Sequence, residues 1–484
     1  MFTRNDKEPN TSGSFVLYWM QINRRFQYNY ALEYAVGWAN KLGKPLLIVE
    51  DLICDYPWAS ERFHTFLMEG MTGHLEASKN YPITYCPFVE DESGQVEEMF
   101  DELVQKACVV ISDEFPVFIM QERNRQVPHK LNLPYYTVDS NGLIPLKMTE
   151  KAPYNAYFFR KTMQKLFVEA YTHPPKENPL GDLKNGEKVK LPEKLRQKYE
   201  NSKKKLRKAP EEIIGSLDIR HDIKPLNISG TRKAAISQLD LFINNGILKY
   251  DKLRNHPDED GTSRISPWLH FGKISEYEIV KEALNRQPKG WDLDSITYNN
   301  GSSGGFFNGD ENIDSFLDEV ITWREAGFHF AFHTPYYDAY ESLPDWALKT
   351  LDEHRDDPRS YIYSFEELET AQTHDPVWNA AQRQLRQEGI IHNYMRMLWG
   401  KKVIMWTPDP ETALQYLIEL NNRYAIDGRD PNSYSGIFWC FGRFDRPWQE
   451  REILGKVRYM TSDSARKKLR LEKYLKRYGK SLEL

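Results

Sequence analysis

Four stretches of the chain carry residue types that could do chemistry, and none of them is a hydrolytic triad or a metal-ligand cluster. The first runs from Tyr250 to Gly272. There Asp260-Gly261 reads as a turn, and Thr262, Ser263 and Ser266 bring hydroxyls and backbone N–H groups to a helix start beside Arg264, which is the donor set of a phosphate site. The second, Asp314 to Glu325, sets Glu319 and Trp323 four residues apart, on one helix face, where a carboxylate beside an indole could hold a flat hydrogen-bonding ligand such as a base. The third, Asp375 to Trp406, holds three tryptophans. Trp399 and Trp406 lie two helical turns apart on one stripe, roughly 10 Å of rise, and Trp378 sits on the preceding helix, which Gly389 should end. Such a series suits electron relay to a redox cofactor. The fourth, Leu420 to Trp439, packs many polar groups around an Asp427-Gly428 turn, and polar groups this dense between helices need a partner, which a bound cofactor would supply. Taken alone, each stretch also has an ordinary reading: a capped helix, a surface glutamate over a half-buried indole, or core packing.

All four stretches lie where helical periodicity prevails, from about residue 229 onward, with capping signals at Ser364-Phe-Glu-Glu and Asp409-Pro-Glu-Thr. The first third differs. Phe15–Trp19, Pro45–Glu50 and Ala107–Ser112 are short apolar runs with helical patterns such as 29–42 between them, the alternation of an α/β domain with a parallel sheet. No GxGxxG follows a strand, so the usual dinucleotide turn is absent. Prolines and charges dominate from 172 to 228. The expected organisation is an α/β domain over 1–171, a charged linker over 172–228, and an all-helical domain over 229–484, interrupted by a polar, glycine-rich insert at Asn299–Gly305 that reads as a loop.

At 484 residues the chain is too long for one core. It has no apolar run long enough for a membrane span, and its polar N-terminus lacks a signal peptide's apolar stretch. Four scattered cysteines form no CxxC pair, so neither a zinc site nor a disulfide scaffold is expected, and the protein reads as reduced and intracellular. A net charge of −5 does not by itself suggest nucleic acid, but KLRQKYENSKKKLRK at Lys194–Lys208 and ARKKLRLEKYLKRYGK near the C-terminus are strongly basic. Taken alone, each run reads first as solvated helix faces or a linker.

Together the motifs resemble the photolyase/cryptochrome family, its class II branch in particular. DGTSRISPWLHFGKIS is similar to the family's flavin-phosphate motif, and YWMQINRR, THDPVWNAAQ, MRMLWGKKV, LNNRYAIDGRDPN and GKVRYM resemble class II patterns in order and spacing from about residue 15 to 475. The resemblance implies a Rossmann-like α/β N-terminal domain, an all-α FAD-binding domain, non-covalent FAD, and light-driven repair of pyrimidine dimers in DNA by electron transfer from the reduced flavin to a flipped-out lesion. It leaves open whether the N-terminal domain carries a second, antenna chromophore. It implies a monomer, with DNA as partner and no metal. Carried over residue by residue, it puts Tyr250, Thr262, Ser263, Arg264, Ile265, Ser266 and Phe316 around FAD, and Arg396 with Asp427 as an ion pair beside the flavin. Asn421 would face the flavin's reactive N5, Ser433 standing where class I photolyases have an asparagine. Glu319, Trp323, Met397, Trp439 and Arg458 would line the lesion pocket, and Trp399, Trp378 and Trp406 would relay electrons in that order outward.

Three departures bear on the DNA-facing rim. Phe441-Gly-Arg-Phe-Asp-Arg-Pro-Trp448 stands near a usual GGVHDxxW, Trp323-Arg-Glu-Ala-Gly-Phe-His-Phe330 replaces RRELADNF, and 299–309 looks inserted. A cryptochrome-like blue-light flavoprotein without repair and a (6-4) photolyase are therefore the alternatives. The retained Glu319, Met397 and Trp439 favour cyclobutane-dimer repair, as does the lack of a long tail after residue 480.

Overall fold

The computed structural model describes residues 1–479, so Lys480 of the C-terminal basic run lies outside the described residues. The chain forms two compact units. The first comprises Met1–Pro145, Glu169–Asp240 and Ile265–Lys281, and the second Leu146–Val168, Leu241–Arg264 and the chain from Glu282 onward. This division differs from the expected boundaries at 171 and 229. Most of the proline- and lysine-rich 172–228 stretch belongs to the first unit as folded structure, and so does 265–281, which had been assigned to the helical domain.

The first unit is built on a six-stranded sheet of β1 (Phe2–Thr3), β2 (Phe15–Trp19), β3 (Leu46–Leu52), β4 (Thr84–Val89), β5 (Ala107–Asp113) and β6 (Tyr135–Val138), in the order β1-β6-β5-β2-β3-β4. Only the β1–β6 pair is antiparallel. All residues of β2, β3 and β5 are buried, as parallel strands covered on both faces require. Side chains alternate between two cores. Val16, Tyr18, Leu46 and Ile48 pack with α1 (Tyr30–Leu42), while Phe15, Leu17, Leu47 and Val49 pack with α3 (Gln95–Val104), α2 being Glu61–Ala77. Helix α1 starts where Asn29 accepts hydrogen bonds from the backbone of Ala31 and Leu32, and ends at Gly43, whose φ of 63° suits glycine.

The former linker contains α4 (Glu193–Leu206), which shields the edge strand. Ser202 Oγ accepts from Val89 N at 3.1 Å, and Val189 N donates to Thr84 Oγ1 at 2.8 Å. Its lysines are largely paired with acids of the same unit: Lys194 with Glu102, Lys198 with Glu98, and Lys205 with Asp91. Two further carboxylates are fully enclosed. Asp113 accepts from the backbone N–H groups of Gln21, Ile22 and Asn23 and from Tyr18 Oη and Asn23 Nδ2. Glu50 lies 2.7 Å from His74 Nδ1 and 3.6 Å from Lys273 Nζ. Burial alone would raise its carboxyl, but His74, Lys273 and Arg24 hold it well below the usual range.

The second unit is helical. It uses α5 (Glu311–Leu317), α6 (Arg324–His333), α7 (Pro376–Glu388), α8 (Asn393–Trp406), α9 (Pro410–Tyr424) and α10 (Pro431–Cys440), with the Ser364 capping box and the Asp409 cap where the sequence signals them. Helix α7 ends at Gly389, φ 64°. Residues 299–309 form an irregular loop, as expected. Between α5 and α6 the chain departs from expectation: Asp318–Trp323 is a π-helix, so the segment that carries Glu319 and Trp323 is wound more widely than an α-turn. Among the described residues no helix is long and apolar enough to cross a membrane, no group of acidic, His or Cys side chains is placed to hold a metal, and all four cysteines are buried and unpaired.

Candidate functional site

The tryptophan series is the most continuous part of the site. Helices α7 and α8 pack so that Trp378 Nε1 donates to the backbone oxygen of Trp399 at 3.0 Å, and the rings of Trp378 and Trp406 meet edge to face with centroids 5.6 Å apart. Trp399 is oriented by Gln382, whose Oε1 accepts from its indole at 2.9 Å. All three indoles are buried. Trp406 in turn touches Tyr363 and His374, at 5.5 and 5.2 Å between centroids, and Tyr363 Oη hydrogen-bonds His374 Nδ1 at 2.6 Å. Tyr361 stacks on His374 at 3.7 Å and is 48% exposed, so a run of ring contacts leads from buried Trp378 to solvent, and Trp399 joins it through the hydrogen bond to its backbone.

The residues expected at the flavin fall into groups. Arg396 Nη1 donates to Asn421 Oδ1 at 2.8 Å and stands 3.8 Å from Asp427, and Asn421 Nδ2 donates to Ser433 Oγ at 3.2 Å. The Arg396–Asp427 ion pair is therefore present, with Asn421 held against it. Tyr250 and Phe316 meet edge to face at 5.3 Å. Thr262, Ser263 and Arg264 are half-buried in the second unit, whereas Ile265 and Ser266 belong to the first. The helix that starts at Ser266 is a single turn, Ser266–His270, and no side chain caps it. Arg264 has φ 54° and donates to Asp260 at 2.6 Å, with Glu388 at 3.7 Å.

Among the described residues, the buried polar atoms of the helical unit without a hydrogen-bond partner include Asp427 Oδ1, on a residue expected beside the flavin, and Arg254 Nε. A buried acceptor and a buried donor left open in this way are costly unless a polar ligand meets them. The donor set therefore fits a large polar aromatic group such as FAD.

Of the residues expected to line a lesion pocket, Glu319 and Trp323 share the π-turn, and Glu319 is ion-paired with Arg254. Burial pushes the Glu319 carboxyl up, against the pull of Arg254. The half-buried Trp439 ring lies between two cations, Lys401 Nζ at 4.8 Å and Arg458 at 5.4 Å. Lys401 is fully buried, donates to Cys440 O at 2.6 Å, and is pushed down by burial to about 8. Cys440 Sγ faces the backbone oxygen of half-buried Met397. Arg458 is held by Asp445 at 2.7 Å and also covers Trp448 at 4.2 Å. Among the described residues no hydrogen bond or ion pair joins Met397 or Trp439 to Glu319.

Several residues that position the site escaped the sequence reading. Arg254 stands one turn after Tyr250 in a quoted motif, but its partner is 65 positions away in the chain. Gln382 belongs to THDPVWNAAQ and reads there as a helix residue. Arg160 grips Asp318, the neighbour of Glu319, at 2.6 and 2.8 Å and also donates to Gly301 O in the inserted loop. Gln164 anchors the same loop through Asn299 N, Gly301 N and Ser302 O.

No protein-family model matches the chain. A deoxyribodipyrimidine photo-lyase of Methanothermobacter thermautotrophicus is 35% identical over 478 residues, spanning 98% of this chain and 96% of that one, and the enzyme of the same name from Arabidopsis thaliana is 29% identical over 472 residues, spanning 96% and 89%. Among solved structures, a class III photolyase from Agrobacterium tumefaciens superposes with a TM-score of 0.65 at 18% identity, covering 96% of this chain and 86% of that one. An archaeal photolyase from Sulfolobus tokodaii with two FAD molecules gives 0.64 at 15%, covering 96% and 90%. With an α/β unit, a helical unit and a relative this similar over nearly its full length, the chain belongs to the photolyase/cryptochrome family.

Proposed function

We propose that this protein is a light-driven lyase that repairs cyclobutane pyrimidine dimers in DNA, with FAD held non-covalently in the helical unit. One observation carries the reading: the buried series Trp399, Trp378 and Trp406, joined by an indole-to-backbone hydrogen bond and an edge-to-face ring contact, which suits electron supply to a redox cofactor and has no use in acid–base hydrolysis. The full-length relatives named for dimer photolysis support it. The two FAD molecules of the S. tokodaii protein support a second, light-gathering chromophore here as well.

Tyr250, Phe316, Asn421, Arg396, Asp427 and the Thr262–Ser266 stretch would hold FAD. When bound and reduced, FAD supplies light absorption and the electron that opens the cyclobutane ring. The chain's own groups do the rest. Trp323 and Trp439 offer indole faces to the two bases of a dimer flipped out of the duplex. Met397 adds an adaptable apolar wall, and Arg458 meets the backbone phosphate. Glu319 provides an O–H donor to the carbonyl oxygen on which negative charge develops, and Arg254 keeps that carboxyl in place. Trp399, Trp378 and Trp406 would relay electrons from the surface inward to the FAD site. Acting on DNA, the protein would work inside the cell.

The test is light-dependent repair of a defined cyclobutane dimer per absorbed photon, with pre-reduced FAD, in the native chain, Glu319→Gln and Glu319→Ala. The Glu319 carboxyl is raised, so its protonated form persists to higher pH than an ordinary glutamate and is lost as pH rises through that raised value. Native repair should fall across that rise while Glu319→Gln stays flat, and Glu319→Ala should lose up to about a hundredfold, the effect of an unmade buried hydrogen bond. Equal repair by all three would remove Glu319 from the lesion. A native chain that photoreduces its flavin but repairs no dimer would make it a blue-light receptor.

A further inference from the structure

In the first unit, away from every residue assigned above, a cavity of about 270 Å³ opens beside edge strand β4. Its apolar lining comes from Leu75 and Ile83, and Tyr85 and Tyr199 contribute aromatic rings. Four cations surround it: Lys79 just past α2, Lys188 in the segment running along β4, and Lys203 and Arg207 from the end of α4. Lys79 and Lys203 each have one carboxylate within their own helical turn, Glu76 and Glu200. Lys188 Nζ donates only to the carbonyls of Tyr81 and Ile83, and Arg207 makes no ion pair among the described residues. Four cations against two carboxylates leave an excess of two positive charges around one concavity. Elsewhere on α4 the lysines are neutralised across to neighbouring elements, so this excess is local.

Position separates the cavity from the sheet's usual ligand crevice. Thr84 and Tyr85 open β4, so the cavity lies at the amino end of the parallel strands, whereas open α/β sheets bind ligands at the carboxyl ends. We propose that it binds a small phosphate-bearing aromatic molecule of the nucleotide class, with phosphate oxygens on Lys188 and Arg207 and the flat ring against Tyr199. The size agrees: about 270 Å³ sits at the small end of ligand cavities, enough for a mononucleotide and too little for a dinucleotide such as FAD. Lys203, 4.7 Å above the Tyr199 ring, makes that wall both aromatic and cationic. Burial already lowers the Lys188 ammonium, and a phosphate would compensate that desolvation. A duplex is convex and would span the rim without reaching the Tyr85 floor.

The experiment is calorimetric titration of the FAD-loaded full chain with ADP and, separately, with inorganic phosphate, in the native protein, the double variant Lys188→Ala/Arg207→Ala, and Tyr199→Ala. Native protein should bind ADP saturably, the double variant at least about tenfold more weakly, and inorganic phosphate about tenfold more weakly than ADP. Tyr199→Ala should weaken ADP but leave phosphate unchanged, and dimer repair should be the same in all three proteins. No saturable ADP binding, or equal ADP affinity in the native chain and the double variant, overturns the proposal. So does a double variant that loses affinity for undamaged duplex DNA while native protein ignores ADP, which would make the rim a DNA contact.

Discussion

Asp113, fully buried in the α/β unit, and Asp427, half-buried in the helical unit, are treated in opposite ways. Asp113 is fully buried and receives five hydrogen bonds, three of them from consecutive backbone N–H groups. Asp427 has one buried oxygen with no hydrogen-bond donor and an arginine at 3.8 Å. Tryptophans divide the same way. Trp19 donates to Asp51 and packs on Phe100 at 4.1 Å, locked within its core, while Trp378 donates to the backbone of Trp399 and meets the ring of Trp406 on the way to the surface. Lys194, Lys198 and Lys205 of α4 are tied to acids, and Arg458, tied to Asp445, also lies over Trp439 and Trp448. Among the described residues the α/β unit also holds buried atoms without a hydrogen-bond partner, Glu50 Oε1 and Lys273 Nζ among them. In each of these pairs, however, the α/β residue is closed within its own unit and the helical-unit residue is left more open. Groups left open are where a ligand belongs.

The comparison breaks most readily at Asp113. Asp113→Ala should cost about 4 kcal/mol of stability, because it strands several buried donors at once; denaturant unfolding that shifts by less than about 1 kcal/mol would show the contrast to be illusory. Trp378→Phe keeps an aromatic of similar size, so the fold should hold while flavin photoreduction slows by roughly tenfold or more. Trp19→Phe should do the reverse, losing stability with photoreduction unchanged, and transient absorption on both variants decides. Asp427→Ala should leave the stability of the flavin-free protein within about 1 kcal/mol, since little is bonded to the carboxylate, yet weaken FAD retention by about tenfold. Dialysis with flavin fluorescence reads this out, and undiminished retention would put Asp427 outside the flavin site. The smallest effect sharpens the cation contrast: Arg458→Ala should weaken lesion-DNA binding about fivefold at low salt, and replacing Lys194, Lys198 and Lys205 together less than about twofold. The opposite ranking would place the DNA face on α4.

The parts of the molecule that follow from local rules could be read from the chain. The buried runs of β2, β3 and β5, the Asn29 and Ser364 caps and the Gly389 stop each depend on a few adjacent residues, and each forms where expected. The tryptophan path also follows from spacing on α7 and α8. What depended on distant pairing was not legible. Composition made 172–228 look like a tether, yet Ser202 and Val189 bind a strand over a hundred positions back. Arg254 and Arg160 reveal their roles only once Glu319 and Asp318 come to meet them. The widened turn at Asp318–Trp323 has no signature in residue types at all, because it is a matter of register rather than of propensity.

That turn has a consequence for how the protein can change. A π-helical turn holds one residue more than the α-helix needs to cover the same arc, so it behaves as a tolerated single-residue insertion inside a continuous rod. Deleting one residue between Asp318 and Trp323 would let the rod close into ordinary α-helix without breaking it. The flanking helices would then keep their register, and only the side chains within the turn would be re-aimed. Arg160 would lose its grip on Asp318 or drag the inserted loop round with it. A lineage that lost this one codon would keep its helix, its tryptophans and its cofactor loop, and it would aim its carboxylate somewhere else.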